Sequence, residues 1–226
     1  MGEYAVGAAT RRRIYEVAKK LFYEKGVKAT SYTDICEAAD VNRGLIPYYF
    51  KSKSNIAMQV LEEFVDSMEA AVDARWAPDE MVQPERNMMI ELLMFRLLVQ
   101  DDALCRFYSE MLTESAYTAT TLRIQTSVME TLVSGAGVSI DPASLRTVIA
   151  MVQGTENELV RLVYSDMLEE SIESMVRRDI RCCFFLLDAD MRRVDAWWDH
   201  AIALAEGLTL SCDERFQCEV VQEKAR

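Results

Sequence analysis

The chain has 226 residues, half of them apolar, enough for one large or two smaller domains with a sizeable core. Only 8 glycines and 4 prolines punctuate a sequence dominated by leucine, alanine, methionine, glutamate and arginine. That composition is helical and excludes a β-sandwich or a doubly wound sheet. Net charge is −12, but residues 1–60 hold ten Lys+Arg against six Asp+Glu, a balance of +4, while the rest carries −16. A basic head on an acidic body points to one end that meets a polyanion.

The first thirteen residues, MGEYAVGAATRRR, place positive charge after a small apolar stretch, the reverse of a signal peptide. No apolar run reaches the roughly 18–20 residues of a membrane span. The best local candidate, Cys182 to Leu187, reads as a buried helix face. A cytoplasmic chain is expected. Ile14, Val17, Ala18, Leu21 and Phe22 recur at helical spacing, and Gly26 ends that first helix. Ser31 caps a second helix, with Asp34 reaching back from the third position. Ile35, Ala38 and Ala39 form its buried stripe. Asp40 stands where the chain turns sharply, in a left-handed conformation that aspartate tolerates. Val41 plugs the turn, and Asn42 caps a third helix.

Pro47 then falls at the fifth position of that helix. Its missing N–H removes only the first or second intrahelical bond, and its ring presses on the carbonyl of Arg43. A bent or late-starting helix is the expected outcome. A fourth helix, from about 52 to 76, carries Ile56, Val60, Leu61, Phe64, Val65 and Met68 and links the first bundle to the rest. Beyond Pro84 the pattern predicts helices at roughly 84–100, 102–117, 119–135, 141–166, 170–188 and 190–208. Asp141 followed by Pro142 is a cap and a first-turn proline. The fold class is therefore all-α. Residues 1–55 form a helix-turn-helix domain, 56–210 a larger helical body, and the polar stretch 211–226 is expected to fray.

Two short helices joined by a tight turn present the second one to the DNA major groove. What separates such a unit from an ordinary helical hairpin is its outward face. Arg43, Tyr48, Tyr49, Lys51 and Lys53 cluster within eleven residues. Arginine pairs with guanine edges, and tyrosine hydroxyls and lysine ammoniums bond phosphate oxygens. Gly44, with no Cβ, permits close backbone approach. Arg11, Arg12 and Arg13 add phosphate or minor-groove contacts.

Residues 10–65 resemble the N-terminal domain of the TetR family of bacterial transcriptional regulators. The similar pieces are A-x-x-L-F-x-x-x-G (Ala18 to Gly26), T-S-x-x-D-I (Thr30 to Ile35) and A-x-V-x-x-G-x-I-x-x-Y-F-x-S-K (Ala39 to Lys53). The resemblance implies phosphate contacts from Ser31 and Thr33. It places Asn42, Arg43 and Leu45 nearest the bases, and gives Tyr49 and Lys53 a grip on the backbone. It implies a core of Cys36, Ala38, Val41, Ile46, Phe50 and Ile56. Two positions depart from the family: Asp40 replaces a turn glycine, and Pro47 replaces a tyrosine that touches phosphate. Tyr48 points about 100° away on an ideal helix and is no automatic substitute.

The same resemblance implies a body that binds a small effector and dimerises. Methionines and aromatics spread over residues 84–166 suit an adaptable pocket. Met88, Phe95, Phe107, Met111, Tyr117 and Met129 are its candidates, with Met89, Met94, Tyr108 and Met151 beside them. Glu91, Gln125, Gln153 and Asn157, and also Glu156, would orient a ligand. The acidic excess favours a cationic or neutral one. The predicted dimer face is Leu145, Ile149, Val152, Gly154, Leu159 and Val163, then Ile180, Cys183, Phe184 and Leu187. A two-fold dimer would set two heads about one DNA turn apart, ~34–36 Å, over a near-palindromic operator.

The motifs of common enzyme classes are missing: no HExxH, GxSxG, P-loop or GxGxxG. The only histidine, His200, lies beside two tryptophans and reads as a packing or surface residue. Cys36, Cys105, Cys182, Cys183, Cys212 and Cys218 show no CxxC pair and no metal spacing, so buried free thiols and no metal or cofactor are expected. The leading expectation is a homodimeric repressor released from its operator by a small, largely apolar effector, working on double-stranded DNA at the nucleoid and not at a membrane. The alternatives are a DNA-binding protein without effector, controlled by a protein partner, and a helical ligand-binding module with a weakened DNA head.

Overall fold

The computed structural model describes residues 2–114 and 117–222. Its elements are α1 (Gly2–Lys25), α2 (Tyr32–Ala39), α3 (Leu45–Phe50), α4 (Lys53–Arg75), α5 (Gln83–Gln100), α6 (Asp102–Met111), α7 (Tyr117–Ala136), α8 (Pro142–Tyr164), α9 (Ile172–Leu186) and α10 (Met191–Leu204). A two-stranded hairpin, β1 (Leu208–Cys212) and β2 (Cys218–Gln222), follows. The helices stand where the periodicity puts them. Exceptions at their ends are α6, which stops at Met111 rather than 117, and α10, which stops at Leu204.

The head is built on Ile14, Ala18 and Phe22 of α1, Ile35, Cys36 and Ala39 of α2, Ile46 and Phe50 of α3, and Ile56 of α4, all buried. Ser31 accepts from the Asp34 N–H, and Asp34 accepts from the Ser31 N–H, closing the capping box. Asp40 ends α2 at φ 49°, and its N–H bonds carbonyls of Cys36 and Glu37. Ala38 is not core. It is exposed, because the inward face of this short helix runs through Ile35, Cys36 and Ala39. Val41 is half-buried.

The third helix does start late. Its cap is Gly44, not Asn42, and no side chain caps it. Pro47 thereby falls at the third helical position, where the backbone N–H has no intrahelical acceptor in any helix. An earlier start would press the proline ring on the Arg43 carbonyl. Just after α3, the chain strains. Lys51 sits at φ 66°, ψ −49°, while Ser52 N–H bonds the Phe50 carbonyl at 2.8 Å. This is a γ-turn in its strained form. Ser52 then caps α4 through the Asn55 N–H.

In the body, α5 runs through the centre and packs on α4, α6, α7, α8, α9, α10 and β1. Residues 211–222 of the stretch expected to fray are ordered, and 223–226 lie outside the described residues. β1 and β2 pair antiparallel from Leu208↔Gln222 to Cys212↔Cys218, and they lie on α4 and α5. Leu208 and Leu210 are buried, and Phe216 at the loop is wholly so. Arg96 of α5, ion-paired with Glu173, donates to the carbonyls of Ala205 and Leu208 at 2.8 and 2.7 Å. β1 alternates apolar and polar residues, but over five residues, and β2 keeps no such alternation. It is the surface of α4 and α5 that orders them. The segment Cys182 to Leu187 is also only partly buried: Cys183, Phe184 and Leu187 face in, Cys182 and Phe185 face out. Cys36 and Cys105 are buried free thiols, whereas Cys212 and Cys218 are half-buried. His200 pairs with Glu85 at 3.2 Å. Among the described residues no helix is long and apolar enough to cross a membrane.

Candidate nucleic-acid interface and interior cavity

The outward face of the head collects the polar residues expected there. Ser31, Thr33, Asn42, Arg43, Gly44, Tyr48 and Lys51 lie on it, all exposed, with Leu45 and Tyr49 half-buried at their edge. Tyr48 is 77% exposed and meets the ring of Tyr49 edge-on at 4.9 Å. Tyr49 in turn leans on α1, its hydroxyl beside Gly7. Arg43 reaches over the Tyr32 ring, with its guanidinium 5.9 Å from the centroid. Gly44 has nothing within 4 Å of where a Cβ would stand, so no contact inside the chain demands glycine there. Arg43 and Lys51 project from this face as cations beside donor-tipped aromatics, the combination that a phosphate backbone attracts.

Two of the expected contacts are otherwise engaged. Lys53 does not point outward. Its ammonium donates to the carbonyls of Val27 and Thr30 at 2.6 and 2.7 Å, holding the start of α4 to the α1–α2 loop. Arg11 is exposed but braced: it donates to Gln59 at 2.9 Å and covers the Phe50 ring at 4.7 Å.

The head is seated on the body through α1, α4 and α6. Arg106 of α6 donates to the carbonyls of Tyr23 and Glu24 at the end of α1, where free carbonyls and the helix dipole favour a cation. Glu110, one turn on, accepts from the Lys28 N–H at 2.9 Å and closes over Gly26. At Gly26, φ 87°, a side chain would strike that carboxylate at 2.8 Å. Phe216 of the hairpin packs between Tyr23 of α1, Phe64 of α4 and Phe107 of α6. Glu63 of α4 gathers Tyr15, the buried Lys19 and Gln217.

Inside the body lies a cavity of about 190 Å³ between α4, α5, α6, α7, α8 and α9. Of the expected ligand residues, Met88, Glu91, Tyr117, Gln125, Met129 and Gln153 line it. Phe95, Phe107 and Met111 do not: they are fully buried in the surrounding core, Phe107 against Phe216. Asn157 stands behind the wall and accepts from Tyr117 and Gln153. Tyr108, Glu156 and Met94 line the cavity as well. Sequence reasoning misses two walls. Leu61, Val65 and Met68 come from α4, and Asp179, Ile180, Cys183 and Phe184 come from α9. Asp179 is the legible signal, a carboxylate on the buried stripe of Met175, Val176, Ile180 and Cys183.

The cavity is acidic where it is deepest. Burial, then the charges of Asp179 and Glu156, push the Glu91 carboxyl well above the usual carboxylate range. Burial and then Asp179 raise Glu156 to about 7, and burial raises Asp179. Glu156 accepts from the Tyr108 hydroxyl at 3.3 Å. Oε1 of Glu91 and Oε1 of Gln153 are buried without a hydrogen-bond partner. No Lys, Arg or His lines the space among the described residues.

The expected dimer face is largely spent inside the protomer. Leu145, Ile149, Ile180, Cys183, Phe184 and Leu187 are buried, and Val152, Ile180, Cys183 and Phe184 line the cavity. Leu159 and Val163 pack half-buried on the core. Of the predicted set only Gly154 stands free of that core, with open space around it. The apolar stripes of α8 and α9 are the stripes that build the body. The outward apolar residues are Met151 and Tyr164 of α8, Met167 just beyond it, and Phe185 of α9, 71% exposed.

The family model described as "Bacterial regulatory proteins, tetR family" matches residues 14–60. The regulator TtgR of Pseudomonas putida is 34% identical over 71 residues, 31% of this chain and 34% of that protein. The regulator AcrR of Shigella flexneri is 33% identical over 87 residues, 37% of this chain and 40% of that protein. The matches thus span less than half the length of these relatives, whose names are those of transcriptional regulators and not of enzymes. Over the fold, the crystal structure of RolR with its ligand resorcinol superposes with a TM-score of 0.64 at 16% identity, covering 88% of this chain and 95% of that one. The full-length regulator TylP of Streptomyces fradiae gives 0.50 at 21% identity, covering 86% and 98%.

Proposed function

We propose, because this chain belongs to the tetR family of bacterial regulatory proteins, that it is a DNA-binding transcriptional regulator, a homodimeric repressor released from a near-palindromic operator by a small, largely apolar effector. Asn42, Arg43 and Leu45 read base edges. Ser31, Thr33, Tyr48, Tyr49 and Lys51 hold phosphates, with Arg11 beside them. Lys53 acts as a brace for the head.

The observation that carries the effector part is the double duty of α6. Tyr108 on one face forms cavity wall, while Arg106 and Glu110 on another hold the end of α1. α4 is shared in the same way: Leu61, Val65 and Met68 line the cavity, and its first turn carries Lys53. A ligand that favours one setting of these two helices over another shifts the head with them, by no more than its difference in affinity for the two settings.

Dimerisation is assigned to the outward faces of α8 and α9, around Met151, Gly154 and Phe185. Two-fold pairing there would set the heads about one DNA turn, ~34–36 Å, apart. The test is titration of the chain against the DNA upstream of its own gene across salt concentrations, with sedimentation in parallel. Expected are a dimer and an affinity that falls steeply with salt. No binding at low salt overturns the reading. The weakened-head alternative draws no support from Asp40 or Pro47, since both are seated without loss of a helical hydrogen bond.

A further inference from the structure

The cavity combines three features. Three carboxyl groups, Glu91 of α5, Glu156 of α8 and Asp179 of α9, line one half-open space. No cationic side chain among the described residues of its wall answers them. One oxygen of Glu91 and the amide oxygen of Gln153 are buried with no partner at all. A buried acceptor left unpaired is destabilising, and more so when charged. Such groups persist where something else completes them.

A metal ion does not fit. Among the described residues no three His, Cys, Asp or Glu converge closely enough to hold one. The carboxyls surround a space rather than a point. Much of the rest of the wall is apolar and soft, with Met88, Met94, Met129 and Val152, and with two rings, Phe184 and Tyr108, the latter bonded to Glu156. Aromatic faces and carboxylates together suit an organic ammonium, and methionines suit an apolar body of variable shape.

We propose that the effector is a small organic cation, an amine or quaternary ammonium on an apolar body, whose charged end lies among Glu91, Glu156 and Asp179. This deepens the reading of the chain as an effector-released regulator and rests on it for the word effector, though not for the site. The cation takes the place of protons. Around these acids the other titratable groups are Tyr108 and Tyr117, from α6 and α7, and Cys183 of α9; burial raises both phenols and the thiol. From α4, Glu62 and Glu69 also line the space, and Glu69 is paired with Arg86. The charge of Arg161 reaches Tyr117; apart from these two arginines, the groups named around the acids are neutral or acidic.

Four probes of similar size test it on the full chain by calorimetry: benzyltrimethylammonium, 2-phenylethylamine, 2-phenylethanol and phenylacetate. Both cations are expected to bind about tenfold or more tighter than the alcohol, and phenylacetate not at all. Benzyltrimethylammonium keeps its charge at every pH, so a rise in its affinity between about pH 6 and about pH 8 reports the acids alone. Glu91→Gln and Glu156→Gln should each weaken the cations about tenfold while leaving the alcohol unchanged. Thermal unfolding of both variants confirms that they are folded. Equal or tighter binding of the alcohol, or no binding of either cation, overturns the proposal. DNA release is read separately. A cation that binds as expected yet leaves DNA affinity unchanged keeps the site and sinks the repressor reading. Release by the neutral probe alone does the reverse.

Discussion

The head and the body of this chain treat buried polarity in opposite ways. In the head, the buried Lys19 has Glu63 at 2.5 Å, the buried Thr30 hydroxyl has the Gly26 carbonyl at 2.7 Å, and Lys53 has two carbonyls. The cations that remain for a partner, Arg43 and Lys51 among them, lie on the outside. In the body, the unpaired oxygens of Glu91 and Gln153 are buried, in a space walled by acids. A domain that recognises a surface from outside can satisfy its interior and leave its exterior wanting. A domain that encloses its ligand must leave wants within. The difference locates both proposed partners: a polyanion outside one half, a cation inside the other.

The strongest challenge to that division lies at the seam. Phe216→Ala should destabilise the chain by about 3–5 kcal/mol, because loss of a fully buried ring between Tyr23, Phe64 and Phe107 leaves a cavity. If head and body are one cooperative unit, a single unfolding transition simply moves down in temperature. Two separated transitions would show that the halves differ in stability as well as in chemistry. The interior acids give a prediction with a sign. The folded chain holds a proton on Glu156 up to about pH 7, whereas the unfolded chain releases it near the ordinary value of 4.5. Folding is therefore favoured by this group at low pH, and that contribution is lost as pH rises from about 4.5 through about 7. Glu156→Gln should remove the loss. Its stability relative to the parent should grow across that window by up to about 3 kcal/mol and then stay level. Denaturant melts at several pH values read this directly, and a constant difference would mean that the acid is not buried in solution.

Next in size, Arg43→Ala should weaken operator binding by about 1–3 kcal/mol and relax discrimination at one base position. Binding of a cavity ligand should not change, and calorimetry on the variant checks that half. The smallest effect also belongs to the head. Lys51→Gly should raise stability by about 1 kcal/mol by relieving the positive φ. It should also reduce the salt slope of DNA binding by about 1 if Lys51 meets a phosphate. A stabler variant with an unchanged slope would leave the strained turn without a nucleic-acid role.

The two halves are also unequally legible in sequence. The head announces itself through local chemistry: a capping serine with an aspartate three residues on, a glycine at a helix end, a second serine before α4. Each acts within four residues, so sequence spacing carries it. Asn42 looks like the cap of α3, but Pro47 moves the helix start by two residues to Gly44. Lys53 looks like a phosphate contact, but its partners, Val27 and Thr30, are over twenty residues away in the chain. The cavity depends on six helices meeting, and spacing on one helix does not say which neighbour its stripe faces. Hence Val152, Ile180, Cys183 and Phe184, apolar and correctly placed on α8 and α9, belong to the cavity wall. The hairpin is invisible for the same reason: its order comes from α4 and α5.

That hairpin carries a consequence in time. Its bonds to Glu63 and Ser67 span 154 and 151 residues of chain. Contacts so distant in sequence form only after loop-closure entropy has been met, whereas the helices of the head meet over much shorter loops. The clasp over α4 therefore belongs to the late steps of folding, and Phe216 should contribute little to the transition state. Its removal should speed unfolding far more than it slows refolding. The seam between head and body is then the last part of the molecule to be sealed and the part that sets how long the sealed state endures.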